Sequence, residues 1–274
     1  MKRKENQKFF LGVIIGVAIV AAVLIFYFSL SGMSFASKIA VINIRGTISS
    51  SSSLLTETVT PEDIFSMIEQ AERDPAIRGI LFQINSGGGS VVASREIAYA
   101  VKEMKKPTLC WMGDVAASGA YWIASACDHI MADPLSLTGS IGVTASYLEF
   151  SGLFEEYGIT YEQITSGESK DAGSPFREIT DEERERLQYI TDEVFRYFLD
   201  DVRESRSLTN EQIEQITSGD IFLGKDAIEV GLIDSLGTVK DAKEKAKELA
   251  GVSYADFVTF KKQGLSIFDL LGMF

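Results

Sequence analysis

Residues 80–90 read ILFQINSGGGS, and this stretch points to the fold class. It begins with an almost continuous apolar run, which is typical of a strand in a parallel sheet that is covered on both faces. The run ends in three glycines, which indicate a tight turn because glycine tolerates backbone conformations that other residues avoid. After the turn, Val92, Ile97, Val101 and Met104 recur at helical spacing. The stretch therefore predicts a strand, a glycine turn and a helix in succession.

The alternation of strand and helix extends in both directions from this stretch. Three further apolar runs of strand length occur, at residues 38–44, 108–112 and 129–132. A helix is predicted from Thr60, its N-cap, to about Arg73, and a helix of small residues from about residue 117 to 126. This alternation predicts one α/β domain over residues 38–274, with a parallel sheet and flanking helices.

The second half of this domain has a mainly helical pattern. Thr180 and Glu183 have the spacing of a capping box, which predicts the start of a helix of about 25 residues. Further helices are predicted to start at Thr209 and near Thr238, and a last strand is predicted over residues 256–260. The sequence shows no internal repeat, and its length after the N-terminal segment suits a single domain.

The N-terminal segment carries a separate signal. Residues 9–30 read FFLGVIIGVAIVAAVLIFYFSL and contain no charged side chain. A helix needs roughly 20 such residues to cross a bilayer, so the run predicts an uncleaved transmembrane anchor. A cleaved signal peptide and a buried core helix are the alternatives. The apolar region of a signal peptide is typically about 7 to 15 residues long, which is shorter than this run.

The charges on either side of the predicted anchor indicate its orientation. Residues 1–8 contain four basic residues and one acid, so this head is expected in the cytoplasm. The domain over residues 38–274 is then expected outside the cytoplasm, on a single-pass protein of the cell membrane. The total charge of −13 less the head's +3 leaves −16 for the rest of the chain. An acidic domain argues against a nucleic-acid-binding function, which needs a basic surface.

Residue types that bind metal ions are scarce in this chain. There is one histidine, His129, and the two cysteines, Cys110 and Cys127, lie in an apolar strand and an apolar helix. These positions have no spacing typical of a zinc site, so we predict no metal and no cofactor. The cysteines are interpreted as small buried hydrophobic residues, although an exported location would permit a disulfide.

Residues 113–122, GDVAASGAYW, contain the first candidate for catalysis. Small residues lead from a strand into a helix, and Ser118 falls at the first turn of that helix. Free N–H groups and the helix dipole favour developing negative charge at this place. The position suits a nucleophile beside an oxyanion hole. The alternative is that Ser118 is an N-cap serine without a chemical role.

A serine nucleophile needs a base, and the sequence offers two candidates. His129 lies in or beside an apolar strand, which favours a structural role. Lys170 lies in a loop of small residues, TSGESKDAGSPF at residues 165–176. A lysine can act as a base when burial removes its charge. The residues alone leave the base open, because a loop lysine is usually an ordinary surface residue.

Three segments in register resemble the signal peptide peptidase A family in its short, single-domain form. They are the segment around Ser118, the segment LTGSIGV at residues 137–143, and the segment around Lys170. Lys170 follows Ser118 by 52 residues, as in the short members of the family. The similarity extends from about residue 38 to residue 240.

The resemblance implies a crotonase or Clp-protease-like fold and a serine peptidase with a Ser-Lys dyad. Ser118 would be the nucleophile and Lys170 the general base. Ser140, which matches a hydroxyl of the family, would orient the lysine through a hydrogen bond.

The resemblance also assigns an oxyanion hole. The turn at residues 85–89 matches the family's oxyanion loop, and the N–H groups of Gly88 and Gly119 are predicted to be the donors. Read from the residues alone, the glycines could equally be a plain turn between strand and helix. The family usually has proline where this chain has Gly87.

Substrates and partners follow from the same resemblance. It implies signal peptides or similar apolar peptides as substrates, and a homo-oligomer ring whose dyad is shared between subunits. The alternatives are a peptidase that acts on a stomatin-like membrane protein, an inactive scaffold of the same fold, and an acyl-CoA enzyme of crotonase type. The apolar C-terminal residues 265–274 are predicted to dock on the core, or to contact the membrane or a neighbouring subunit.

Overall fold

The computed structural model describes residues 12, 14–24, 37–53, 55–167 and 169–261. Residues 14–24 are helical. Within the described ranges, no helix combines the length and the apolar character needed to cross a membrane. The predicted head, both ends of the predicted anchor and the apolar C-terminal residues 265–274 lie outside these ranges.

The strands, in chain order, are β1 (Lys38–Arg45), β2 (Thr47–Ile48), β3 (Thr58–Val59), β4 (Ile77–Ser86), β5 (Thr108–Ala117), β6 (His129–Ala132), β7 (Leu137–Gly139), β8 (Ile221–Leu223), β9 (Ser235–Leu236) and β10 (Asp256–Phe260). The helices that follow β1 are α1 (Pro61–Arg73), α2 (Val91–Lys102), α3 (Gly119–Ser125), α4 (Ser151–Glu156), α5 (Asp181–Arg206), α6 (Asn210–Ile216), α7 (Gly224–Ala227) and α8 (Val239–Leu249).

The central sheet has the strand order β10-β1-β4-β5-β6-β9, and every neighbouring pair in this order is parallel. The short strand β7 pairs in parallel with the end of β5 and antiparallel with β8. The predicted α/β class with a parallel sheet is therefore confirmed. Because the strands are parallel, their carboxyl ends share one edge of the sheet, and ligand sites of α/β proteins form at that edge.

Both faces of the sheet are covered, which explains the almost continuous apolar strands. Phe82 and Cys110 belong to the larger apolar cluster, to which α1, α2, α3 and α5 contribute. The alternate residues Leu81 and Leu109 belong to a second cluster, which α8 completes. Successive residues of a strand point to opposite faces, so a strand buried on both faces has little use for polar residues.

The four predicted helix starts are confirmed, and they share one device. Each begins with a threonine whose side chain accepts a hydrogen bond from the N–H of the third residue on, while that residue's side chain bonds back. These N-caps are Thr60, Thr180, Thr209 and Thr238. Replacing such a cap by alanine typically costs about 1 kcal/mol of stability. Because a capping box is a local interaction, the sequence alone could locate it.

Helix α3, which follows Ser118, is fixed to the longest helix of the domain. The rings of Trp122 in α3 and Phe198 in α5 stack with their centroids 4.5 Å apart. The indole Nε1 of Trp122 donates a hydrogen bond of 3.0 Å to the carboxylate of Asp201. All seven residues of α3 are buried. The backbone that carries Ser118 is therefore held from both sides, by the sheet and by α5.

The structure also differs from the predictions in detail. Strand β5 continues to Ala117, so the helix predicted from about residue 117 starts at Gly119 instead. The pairing of β5 with β7 extends the strand, and a sequence pattern cannot reveal a partner that lies 22 residues away. Several short elements, among them β7, β8 and α4, were not predicted because they are too short to show a period.

Residues 142–180 form a segment that we call the arm. None of its described residues is buried. The ring of Phe176 stacks on that of Phe154 at 5.6 Å, and Arg177 bonds the carboxylates of Asp171 and Glu183. Large apolar side chains of the arm remain exposed, including Leu148 (73%), Tyr157 (71%) and Ile164 (98%).

Candidate active site

Ser118 lies between the end of β5 and the start of α3 with an unusual backbone. Its φ is 54° and its ψ is −129°, a combination that residues with a β-carbon rarely adopt. Such a conformation typically costs about 1 to 3 kcal/mol and persists only where the surroundings enforce it. The N–H of Ser118 donates to the carbonyl of Gly139 at 2.9 Å, and its own carbonyl accepts from the N–H of Trp122 at 3.0 Å. The strain at Ser118 is the kind that accumulates at functional sites.

The hydroxyl of Ser118 is not used as a helix cap. Ser118 occupies the N-cap position of α3, but its side chain makes no capping hydrogen bond. No hydrogen bond among the described residues uses this hydroxyl, and the residue is partly exposed. The simple N-cap interpretation therefore does not account for Ser118, and its hydroxyl is free to react.

Ser140 follows strand β7 at the same edge of the sheet at which Ser118 follows β5. Ala117, the last residue of β5, is paired in parallel with Gly139, the last residue of β7. Ser140 also has a positive φ, 49°, and its N–H donates to the carbonyl of Asp220 at 2.7 Å. The hydrogen bonds of the described residues do not include the Ser140 hydroxyl. Two free hydroxyl groups therefore lie at the ends of two paired strands.

The glycine turn after β4 packs directly against the segment that carries Ser118. Gly88 has a φ of +96°, and a methyl group on it would lie 2.7 Å from the backbone N of Gly119 and 3.1 Å from Cβ of Ser118. Gly119 is equally confined, because a methyl group there would lie 2.2 Å from the buried hydroxyl of Ser94. The structure therefore places Gly88 against Gly119 and Ser118, and Ser140 at the end of the strand paired with the one that precedes Ser118.

The N–H groups of the turn are not equivalent. That of Gly88 donates to the Ser86 hydroxyl at 3.1 Å, so it is engaged in this structure. Gly89 is bridged to Ile48 by two hydrogen bonds: the Gly88 carbonyl accepts from the Ile48 N–H, and the Ser90 N–H donates to the Ile48 carbonyl. The N–H of Gly89 itself makes no hydrogen bond with a described residue. The N–H of Gly119 is also unused there, and a methyl group on Gly119 would lie 3.5 Å from the N of Gly89. Gly89 is a candidate donor that sequence reasoning missed, because the bond that engages the Gly88 N–H is visible only in the folded turn.

Lys170 makes no hydrogen bond or ion pair with the other predicted site residues. It belongs to the arm, its side chain is exposed, and its Nζ has no hydrogen-bond or ion-pair partner among the described residues. Only its backbone N–H is bonded, to the carbonyl of Gly167 at 3.1 Å. A lysine base needs a desolvated setting. The described part of a single chain does not provide that setting at Lys170.

His129 lies at the opposite end of the sheet from Ser118. It is paired with Leu109 near the start of β5, whereas Ser118 follows the end of that strand. At about 3.3 Å per residue, the strand between them rises roughly 25 Å. The Nε2 of His129 contacts the Ser235 hydroxyl at 2.8 Å, and Asp234, whose carboxylate lies 4.0 Å from Nδ1, is bonded by Arg206. The structural role predicted for His129 is therefore confirmed.

The environment of His129 leads to a prediction about pH. Burial lowers the pKa of His129 below its usual 6.5. The unfolded chain then binds a proton more readily than the folded one, so the stability that neutral His129 contributes is present above about pH 6.5 and is lost as the pH falls below it. We expect the melting temperature to fall between about pH 7.5 and about pH 5.5, and to fall less steeply in His129→Gln. Equal slopes for the two proteins would show that other groups cause the loss.

The two cysteines have the setting of core residues. Cys110 and Cys127 are buried free thiols, and burial raises the pKa of the Cys127 thiol well above its ordinary value. They therefore fit the interpretation as small core residues. In the described ranges, no three histidine, cysteine, aspartate or glutamate side chains converge in a way that could hold a metal ion.

Comparison with known proteins places this geometry in a family. The family described as Peptidase family S49 matches residues 100–253, which is more than half of the chain. A protein of Methanocaldococcus jannaschii, named as a candidate protease, is 39% identical over 197 residues, which cover 71% of this chain and 63% of that protein. An Enterococcus faecium protein named as a candidate signal peptide peptidase SppA is 31% identical over 230 residues, which cover 82% of this chain and 67% of that protein. The chain thus spans less than two thirds of the Methanocaldococcus relative.

A solved structure has the same fold. It is the 1510-N membrane-bound stomatin-specific protease in a mutant form, with a TM-score of 0.53 and 15% identity, covering 82% of this chain and 98% of that chain. At this identity the likeness concerns the fold alone. The family match is more specific, because residues 100–253 contain Ser118, Ser140 and Lys170. The strained serine, its glycine neighbours and this match agree: the chain belongs to peptidase family S49.

Proposed function

We propose that this chain is a membrane-anchored serine endopeptidase in which Ser118 is the nucleophile and Lys170 the general base. The observation that carries the proposal is the free hydroxyl of Ser118, held in a strained backbone beside the unused N–H groups of Gly119 and Gly89. Preorganised N–H donors next to a nucleophile are what acyl transfer requires, because negative charge develops on the carbonyl oxygen in the transition state.

The proposed reaction has two steps. The Ser118 oxygen attacks the carbonyl carbon of the peptide bond, and its proton passes to the neutral amine of Lys170. The N–H of Gly119 and one N–H of the glycine turn stabilise the oxyanion. Lys170 then gives the proton to the departing amine, which leaves an ester on Ser118. Water, activated by Lys170, hydrolyses that ester and restores the serine.

The role of Gly88 in this scheme depends on Ser86. The Gly88 N–H could donate to an oxyanion only after it leaves the Ser86 hydroxyl, to which it is bonded at 3.1 Å. The Gly89 N–H needs no such change. We therefore propose Gly119 and Gly89 as the donors in the resting arrangement, and Gly88 as the residue whose backbone fits the turn against Gly119.

Lys170 is proposed to reach Ser118 from a neighbouring subunit. The exposed position of Lys170 and the exposed apolar side chains of the arm support this, since both would be covered by a second copy of the chain. Ser140, whose hydroxyl is free next to Ser118, is proposed to orient the lysine by a hydrogen bond. The proposal therefore includes a homo-oligomer ring, in which each site takes residues from two chains.

Apolar peptides, signal peptides among them, are the proposed substrates. A groove of about 300 Å³ is lined by Val91, Val92, Tyr99 and Tyr197, among others. Val91 follows Gly89 by two residues, so the groove begins close to the glycine turn. Val92 is 65% exposed and Tyr99 55% exposed, so the groove offers apolar surface to a ligand near the site. Apolar side chains of a substrate would lose contact with water there.

The membrane anchor is proposed from the N-terminal sequence. Residues 9–30 lack charges, and in the helical residues 14–24 the large apolar side chains are between 50% and 64% exposed. Apolar surface of this kind on a helix is stable when lipid or protein covers it. The basic head favours a cytoplasmic N-terminus and a catalytic domain on the other side of the cell membrane.

Covalent labelling would test the nucleophile and the base together. The full chain in detergent is treated with a fluorophosphonate, which reacts with activated serines, and the labelled peptide is identified by mass spectrometry. We expect the label on Ser118, and little or no label in Lys170→Ala, because the serine then has no base. A label on another serine, or an undiminished label in Lys170→Ala, would exclude the proposed dyad.

A further inference from the structure

The ladder between β4 and β5 is irregular close to the nucleophile. Ile84 is paired with Met112, but the next pair is Ser86 with Ala116. Strand β5 therefore uses four residues where β4 uses two. Three residues of β5, 113–115, thus stand opposite the single residue Asn85, and they form a bulge that ends three residues before Ser118. A bulge leaves backbone groups without ladder partners and re-aims the strand that follows it.

The side chain of Asn85 fills the gap that this bulge leaves. Its Oδ1 accepts a hydrogen bond of 3.1 Å from the N–H of Val115, which the ladder does not pair. Its Nδ2 donates a hydrogen bond of 3.3 Å to the carboxylate of Asp114. A methyl group on Gly113 would lie 3.5 Å from Cβ and Cγ of Asn85, so the amide also packs against the bulge. All three residues of the bulge thus lie against one side chain.

The same residue begins the turn that carries the N–H donors. The backbone carbonyl of Asn85 accepts from the N–H of Gly46 at 3.2 Å. The hydroxyl of the next residue, Ser86, donates to the Gly46 carbonyl at 2.6 Å and accepts from the N–H of Gly88 at 3.1 Å. These bonds fix the turn to the end of β1. The Asn85 side chain connects it to β5 and thereby to the segment that presents Ser118.

We propose that Asn85 is a positioning residue for the reaction of Ser118. It sets the distance between the nucleophile segment and the glycine turn by bonding two residues of the bulge, Asp114 and Val115, and it does not itself contact the substrate. The inference rests on the proposed function of Ser118. The position requires an amide, because one oxygen must accept from Val115 while one N–H donates to Asp114. Aspartate has the same shape but cannot donate, and it would repel Asp114.

Exchanging the two side chains provides a sharp test. In Asn85→Asp, the donor to Asp114 is lost and two carboxylates face each other. In Asp114→Asn, the new amide oxygen can still accept from Asn85. In the double variant N85D/D114N, the new carboxylate at position 85 could accept from Val115 and from the new amide at position 114, so both hydrogen bonds would return, the second with reversed roles. The three variants change only these two side chains, and none of them removes a proposed catalytic group.

We expect Asn85→Asp to lower kcat and the rate of fluorophosphonate labelling of Ser118 by about 10- to 100-fold, since small displacements of reacting groups cost that much. KM for a fluorogenic apolar peptide amide should change little. Asp114→Asn should stay near wild type, and the double variant should recover most of the lost kcat, with a coupling that a double-mutant cycle measures.

Two results would overturn the inference. One is an Asn85→Asp protein with the kcat and the labelling rate of wild type. The other is a double variant that regains the wild-type melting temperature but not kcat, which would mean that the loss of kcat in Asn85→Asp does not come from the two hydrogen bonds. Failure of the proposed function itself would be recognised separately, because the wild-type chain would then show neither labelling of Ser118 nor hydrolysis that Ser118→Ala abolishes.

Discussion

Co-assembly of Ser118→Ala chains with Lys170→Ala chains is expected to restore about one quarter of wild-type activity, although each variant alone is inactive. Each proposed site takes its serine from one chain and its lysine from the neighbouring chain. In a randomly mixed ring, half of the serine positions and half of the lysine positions are intact, and the two choices are independent. A quarter of the interfaces then has both groups. If the dyad formed within one chain, every site in the mixture would lack one member.

The expectation comes from the position of Lys170. Its side chain is exposed, its Nζ has no partner among the described residues, and it lies on an arm without a buried residue in its described part. Arg177 bonds Asp171 within the arm and Glu183 of α5, so the end of the arm is fixed to that helix. Leu148 and Ile164 of the arm remain exposed, at 73% and 98%. A second chain that covered this apolar surface could desolvate Lys170 at the same time.

The experiment needs proof of mixing and a matched negative control. Two affinity tags, one on each variant, allow isolation of rings that contain both chains. The control replaces the Lys170→Ala chain with one that carries both substitutions, so that no intact pair can form at any interface. We expect hydrolysis of an apolar peptide only in the first mixture. Silence in a sample shown to be mixed and assembled would exclude a site shared between subunits.

Much of the fold could be predicted because its determinants are local. The threonines at the four helix starts interact with residues three positions away, so the sequence shows both partners of each capping box. The apolar strands were recognisable for a similar reason, since burial on both faces leaves a run of adjacent apolar residues. Elements that depend on a distant partner were missed. Strand β7 has three residues, and only its pairing with β5 and β8 makes it a strand.

The candidate site was predictable only in part, for the same physical reason. Ser118, Ser140, Gly88 and Gly119, which the family resemblance named, are placed by the β5–β7 pairing and the glycine turn. The bulge in β5 and the amide that supports it had no signal in the sequence, because a bulge depends on the register of two strands. Nor could the sequence separate the N–H of Gly89 from that of Gly88, since the bond of the Gly88 N–H to the Ser86 hydroxyl depends on how the turn folds.

Replacing Gly88 by alanine is expected to lower kcat by about 100-fold or more, whereas the same change at Gly87 should leave it nearly unchanged. The methyl group on Gly88 would lie 2.7 Å from the N of Gly119 and 3.0 Å from the carbonyl oxygen of Ala117. The φ of +96° at Gly88 is also unfavourable for alanine. At Gly87 no heavy atom of the described residues lies within 4 Å of the added methyl group. The two variants differ by one position in the same turn, so they form a matched pair.

The measurement compares kcat, the labelling rate of Ser118 and the melting temperature of both variants with wild type. Activity should be read well below the melting temperature, because Gly88→Ala is also expected to lower stability. Wild-type kcat in Gly88→Ala would show that the turn has no part in the reaction. A loss of similar size in Gly87→Ala would mean that any change in the turn is harmful, and that the contact at Gly88 is not specific.

The reason for a catalytic rather than a merely structural effect lies in the atoms that the methyl group meets. They are backbone atoms of Ala117 and Gly119, on either side of Ser118, and this backbone is held by β7 on one side and by the buried helix α3 on the other. Because the backbone around Ser118 cannot easily move, the glycine turn must move to make room for the methyl group. Moving the turn by even about 1 Å separates the Gly89 N–H from that of Gly119 and shifts both relative to Ser118. Stabilisation of the oxyanion depends on these distances, and it would be lost while the remainder of the domain stayed folded.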